Sequence, residues 1–322
     1  MEDDTIVFLT REEIKTRMGW IKQTEPSKIT TEHPTVKPVF DLLRSVPLPE
    51  SVDLRPQCSP VKDQGQLGSC TANSHASSIE FLELKMANSY TAPSRLFIYY
   101  NTRHLIEDTS GDVGGTITDT IQSTIKYGSC PETELPYDIS KFDDKPSGGC
   151  YSDAKNYETL TEVALDNLND IQVTLAGGLP VEIGMLVFES LEQVGSDGIV
   201  PMPKSDEELM GGHAVNVNGY KKIGNKLYLI VKNSWGADWG SDGYFYLPAE
   251  YLSKTYIDGS AYASDFKTVL TEEYINNPTP PNPIPPIVNV DKALSDAEKA
   301  LATSSVTRKN TYLKNIVTEL GG

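Results

Sequence analysis

The sequence is short of cysteine, of cationic side chains and of long apolar runs, and each shortage removes a class of protein. Four cysteines in 322 residues cannot build a disulfide scaffold, and Cys58, Cys70, Cys130 and Cys150 include no CxxC pair of the kind that favours zinc. Lys and Arg number 28 against 45 Asp and Glu, a formal charge of −17. Such a field repels phosphate backbones and anionic membrane surfaces, so nucleic acid is not an expected partner. No stretch approaches the roughly 18 apolar residues of a membrane span. The start, Met1-Glu2-Asp3-Asp4 before a short apolar run, lacks the basic beginning and longer apolar centre of a signal peptide. The expectation is an intracellular protein, one packaged in a particle, or one exported by a route the sequence does not show. Hydrophobic residues at 38% and charged residues at 23% fit a mostly globular chain.

Residues 1–47 are polar, carry several prolines and read as an extension, a short propeptide or a plug across a cleft. One helix is expected there, over residues 10–20, opened by Thr10 with Glu13 as a capping box. Residues 48–275 have the mixed character of an α+β unit, helical first and β-rich after residue 180. The best-supported element is a helix over residues 70–87, with Ala72, Ala76, Ile79 and Met86 at helical spacing. Further helices are expected over 93–104 and over 116–127, the latter ended by Gly128, and strands over 181–187, 214–220, 226–232 and 243–247. Residues 276–290 are a proline-rich linker, stiff and extended. Residues 291–322 read as one helix with a thin apolar stripe, either a docking element for some partner or a frayed tail.

The chemistry begins where a glycine-containing loop, Gln64-Gly65-Gln66-Leu67-Gly68-Ser69, delivers Cys70 to the first position of a helix. Unpaired N–H groups and the positive end of the helix dipole stabilise a thiolate there, although a buried structural cysteine fits the same position. A nucleophilic thiol needs a base. His75 lies five residues along the same helix and points about 140° away from Cys70. His33 sits in the proline-flanked extension, and His104 ends a helix without a partner motif. His213 follows Gly211-Gly212 and opens the strand Ala214-Val215-Asn216-Val217, which would hold the imidazole on a rigid element. Asn233-Ser234-Trp235-Gly236 follows, with an amide oxygen able to fix the ring's tautomer and an indole able to keep water away.

These three blocks, in this order, resemble the papain-like cysteine peptidase family, over about residues 48–270. His213 and Asn233 lie 143 and 163 residues after Cys70, the asparagine slightly late, as an insertion in the second lobe would make it. The resemblance implies a two-lobed α+β fold, a helical lobe plus an antiparallel β-barrel lobe, with the active-site cleft between them. It implies Cys70 as nucleophile, His213 as general base and acid, Asn233 as orienter and Gln64 as oxyanion donor. Gly68, Ser69, Gly114, Gly115, Gly184, Ala214 and Trp235 would line the substrate, with Gly114-Gly115 beside its backbone and Gly184 with Ala214 around the side chain two before the scissile bond. No metal or organic cofactor is implied, and the expected partners are protein or peptide substrates.

The chain departs from the family in places. Leu67 and Asp112 stand where the family usually has a disulfide, Thr71 replaces an aromatic and Gly212 an acid, and residues 1–47 are shorter than the family's long inhibitory proregion, so a shorter plug is expected in its place. Pairing among Cys58, Cys130 and Cys150 is open, as is the natural substrate. The motif resembles the microbial and viral branch. Endopeptidase action is expected; a papain-like acyl transferase (ligase or deamidase) and an inactive peptide-binding relative are the rivals, separable by product mass.

Overall fold

The computed structural model describes residues 9–87, 90–107, 111–155 and 160–276. The expected helix over 291–322 and nearly all of the proline-rich linker lie outside them.

Eight helices and seven strands are described. In chain order the helices are α1 (Arg11–Lys15), α2 (Lys37–Arg44), α3 (Cys70–Ala87), α4 (Arg95–Leu105), α5 (Ile117–Tyr127), α6 (Gly148–Ala154), α7 (Leu168–Ala176) and α8 (Glu272–Asn276). The strands are β1 (Val52–Asp53), β2 (Leu160–Ala164), β3 (Val181–Phe188), β4 (Leu209–Ile223), β5 (Lys226–Lys232), β6 (Tyr244–Pro248) and β7 (Ala263–Thr271). Helices α3, α4 and α5 pack together as one lobe. The strands form one antiparallel sheet in the order β2-β7-β3-β4-β5-β6, with β1 paired to β4, as the second.

Helix α3 matches its expected span and lies between the lobes, against α4 and α5 on one side and β3 and β4 on the other. It is therefore buried nearly all round over its first thirteen residues, polar positions included. Burial of such groups favours partners, which the Thr71 and Ser74 hydroxyls lack among the described residues and the longer side chains find. His75, set aside as a base on geometric grounds, bonds Glu182 through Nδ1 and Thr124 through Nε2, both at 2.8 Å. Glu80, fully buried, is held by Ser59 and Lys62. The helix thus joins the lobes through polar contacts that fix one register, which apolar contacts alone would not.

Helix α1 keeps its capping box, with Thr10 and Glu13 bonded reciprocally, but stops at Lys15. The expected helix would have continued to residue 20; the chain instead leaves it through a turn at residues 16–17 and pairs with the two lobes from Gly19 on, an override of local propensity by tertiary contacts.

Residues 28–47 are stitched to the sheet lobe. The Ala164 N–H donates to the Ile29 carbonyl at 2.9 Å, and Arg44 reaches Asp170 at 2.9 Å and Thr31 at 2.8 Å. Val36, Val39, Phe40 and Leu43 are buried as α2 packs on α7. Phe40 has no exposed surface, so Phe40→Ala is expected to cost about 3–5 kcal/mol and to lower the melting midpoint by at least ~6 °C. A calorimetric scan checks this, and an unchanged midpoint would show α2 to be peripheral.

Candidate active site

Cys70 opens α3 and is completely buried. Burial pushes its thiol up to about 11, against the N–H groups of Ala214, Gly19 and Thr71, which approach the sulfur and favour the thiolate. The Ala214 N–H belongs to the peptide unit directly after His213, so β4 carries the imidazole to the start of α3.

His213, also fully buried, bonds Asn233 Oδ1 through Nε2 at 2.8 Å. Its Nδ1 has no hydrogen-bond partner among the described residues. The Trp235 ring stacks on the imidazole, with centroids 4.9 Å apart and an interplanar angle of 30°. Trp239 meets Trp235 edge-on at 4.9 Å, backing the stack with a second indole. Burial pulls the imidazole down to about 4, the Asn233 bond opposes this, and the charge of Arg17 adds to it. Burial thus disfavours the charged form of both thiol and imidazole in this state.

Gln64 is buried, its Oε1 accepting from Ser234 Oγ at 2.6 Å. Its amide Nε2 donates to the Leu67 carbonyl at 2.8 Å and to the Arg17 carbonyl at 2.9 Å. The second acceptor comes from the N-terminal arm. Arg17 itself is buried and paired with Asp63 at 2.6 Å.

From there the arm runs along both lobes. Gly19 and Trp20 donate to the Gly212 carbonyl, both at 3.1 Å; Gly115 donates to Gly19 at 2.8 Å, and Ile21 donates back to Gly115 at 2.9 Å. Trp20 and Gly115 are thereby paired in parallel. Space, as much as hydrogen bonding, sets this path. A Cβ on Gly19 would lie 1.7 Å from the Gly68 carbonyl oxygen, and one on Gly184 would lie 2.0–2.4 Å from the Trp20 indole.

The remaining expected lining residues divide. Gly68, Gly114, Gly115 and Gly184 meet the arm, as does Gly212, which was not among them, and Ala214 meets Cys70. The Ser69 hydroxyl is turned to Tyr137 at 2.6 Å and to Asn73 at 3.0 Å, inside the helical lobe.

Two groups carried no readable signal. Asp112, noted only for what it replaces, accepts from the Gly68 N–H at 2.8 and 3.0 Å and from the Tyr99 hydroxyl, which in turn accepts from Gly114 N–H at 3.0 Å. This links the loop before Cys70 to the glycine pair by hydrogen bonds. Asp265, on β7, accepts from Trp20 Nε1 at 3.1 Å; a lone Asp near the end of a mixed run gives no hint of that. The signal available for Trp20 was an aromatic beside a glycine in an otherwise polar arm.

Among the described residues no cluster of His, Cys, Asp and Glu could hold a metal ion, and no helix is long and apolar enough to cross a membrane.

The profile described as papain family cysteine protease matches residues 48–264. An uncharacterized peptidase C1-like protein of Acanthamoeba polyphaga mimivirus is 39% identical over 267 residues, 79% of this chain and 81% of its own length. A viral cathepsin of Adoxophyes honmai nucleopolyhedrovirus is 30% identical over 62% of this chain and 56% of its own. Among solved structures xylellain, a cysteine protease from Xylella fastidiosa, superposes with a TM-score of 0.67 at 34% identity, covering 83% of this chain and 99% of its own. The expected two-lobed α+β fold stands, and with it a cysteine-type peptidase, a hydrolase of peptide bonds: the chain belongs to the papain family of cysteine proteases.

Proposed function

We propose that Cys70, His213, Asn233 and Gln64 form the catalytic group of an endopeptidase, and that residues 17–21 hold it closed as a zymogen. The observation that carries this reading is a peptide already lying along the catalytic group, with its Arg17 carbonyl on the Gln64 amide and its Gly19 N–H at the Cys70 sulfur.

In the reaction His213 Nδ1, left free by the Nε2 bond to Asn233, takes the thiol proton as sulfur attacks the substrate carbonyl carbon. The resulting oxyanion accepts from the Gln64 amide and the Cys70 N–H. Donors of this kind are worth about 2.7–4 kcal/mol of transition-state stabilisation. The imidazolium returns its proton to the departing amine, leaving a thioacyl-enzyme. Water, deprotonated by the same nitrogen, then releases the acid and restores the thiol. Asn233 holds the ring at the right tilt, and Trp235 screens that bond from water.

The arm occupies this site without being its substrate. Passing from residue 17 to 21 it leads from Gln64 toward Gly115, whereas a substrate whose acyl portion lies on Gly115 and Gly184 leads toward Gln64. The reversed course brings an N–H to the sulfur where a substrate would bring a carbonyl carbon.

Exposing the full chain and its Cys70→Ala variant to an epoxysuccinyl peptide, read by intact mass beside hydrolysis of fluorogenic peptides blocked at both ends, tests the assignment. A single adduct that needs Cys70, together with cleavage of blocked peptides, is expected, slow in the full chain where residues 17–21 cover Cys70 and faster in a Gly19→Ala chain whose arm must move. Turnover surviving in Cys70→Ala would overturn the nucleophile, and cleavage confined to peptides with a free terminus would overturn the endopeptidase reading.

A further inference from the structure

The pocket that receives the Trp20 side chain has an acid at its end, and the backbone is bent to put it there. Strands β3 and β7 pair Glu182 with Lys267 and Gly184 with Ser264, so two steps on β3 face three on β7. The extra residue belongs to a bulge within which Asp265 adopts a φ of +57°. Bulges re-aim side chains beside active sites, and aspartate is among the few non-glycine residues that tolerate such a φ. The Asp265 carboxylate is half-buried and accepts from Trp20 Nε1 at 3.1 Å and from the Gln23 N–H at 2.9 Å.

The Trp20 indole leaves with residues 17–21; Gln23 lies just beyond them and is also bonded by Thr118 at 2.6 Å. Lys267, two residues on, is paired with Glu162 at 3.3 Å and bonds Ser27; its charge also favours the Asp265 carboxylate, without a direct ion pair between the two. Directly opposed residues of an antiparallel pair project to the same face, so Ser264 faces the pocket with Gly184, and its hydroxyl is buried without a partner among the described residues. The opened pocket is therefore long enough for an indole, walled by glycine, and ends in a carboxylate that has lost its indole donor and a hydroxyl without a partner among the described residues.

We propose that this pocket selects peptide substrates carrying a cationic side chain, Arg or Lys, at the residue two before the scissile bond; the proposal rests on the peptidase reading of the cleft. A guanidinium or ammonium group satisfies both acceptors, whereas an apolar side chain of the same length buries them unpaired.

Two measurements on the full chain separate the pocket from the reaction. In the first, Trp20→Arg and Trp20→Leu are compared, each with Asp265 and with Asp265→Asn, by the rate at which iodoacetamide alkylates Cys70. The leucine variant is expected to react at least ~10-fold faster than the arginine variant, with the gap closing in Asp265→Asn. Alkylation of the arginine variant as fast as the leucine one would overturn the pocket. In the second, the Gly19→Ala chain is given blocked substrates with Arg or Leu two before the cleavage point. A preference for Arg of at least ~10-fold in kcat/KM that Asp265→Asn removes is expected; parity, or preference for Leu, would overturn it. No turnover of either substrate while Cys70 still alkylates would sink the peptidase reading and leave the pocket to be decided by the Trp20 series.

Discussion

Replacing Cys70 by alanine is expected to abolish peptide hydrolysis, a fall of at least ~10⁴-fold, and replacing His213 by alanine is expected to do nearly the same. The two act as one unit, since the thiol proton must pass to the imidazole and back within each cycle. The Cys70→Ala, His213→Ala double variant should therefore be no worse than either single one. Asn233→Ala leaves sulfur and imidazole in place and removes only the 2.8 Å bond that orients the ring, so a measurable part of the rate should survive. Steady-state kinetics beside the parent chain check this. Additive losses in the double variant would mean that the residues contribute separately, and the proposed proton transfer would fall.

Gly19→Ala should act in the opposite direction. The added methyl would sit 1.7 Å from the Gly68 carbonyl oxygen and 2.4 Å from its carbon. Both are backbone atoms of the loop that ends at Cys70, so the arm must move. Its bonds to Gly212 and Gly115 are then lost or stretched. Overpacking of this kind costs about 1–3 kcal/mol, and each ~1.4 kcal/mol is tenfold in an equilibrium. Initial hydrolysis by the full chain should therefore rise about 10- to 100-fold. The alkylation profile of Cys70 should move with it. In the parent, burial holds the thiol near 11, so reactivity still climbs above pH 9; once water returns, the thiolate is less disfavoured and the profile shifts to lower pH. Gly148→Ala, whose Cβ would meet no atom within 4 Å, is the control. Equal hydrolysis and equal alkylation profiles in parent and Gly19→Ala would remove the arm as a seal.

What could be read in advance had a local cause. The α3 helix, the strands β3 to β6 and the blocks around Cys70, His213 and Asn233 carry their periodicity or chemistry within a few consecutive residues. Strand β7 does not. Its Asp265 and Lys267 break the apolar alternation, and the buried lysine is paired with Glu162, which reaches it diagonally from β2. The end of α1 at Lys15 is set by glycines 90 and more residues away, and the burial of Phe40 by a helix beyond residue 167. For Asp112 the sequence offered only the absence of a cysteine, whereas its work is to accept from the Gly68 N–H. Long-range partners chose these outcomes, and no window of local sequence contains them.

The docking of α2 on α7 alters how strongly residues 17–21 need to bind. With residues 28–47 held on the sheet lobe, the proposed seal is a ligand on a short leash, present at an effective concentration in the millimolar range however dilute the protein. A segment of modest intrinsic affinity is then enough to keep the cleft filled. A single cut between the seal and α2 turns it into a free peptide whose occupancy depends on total concentration. Inhibition after such a cut would fade on simple dilution, whereas the uncut chain would stay closed at any concentration.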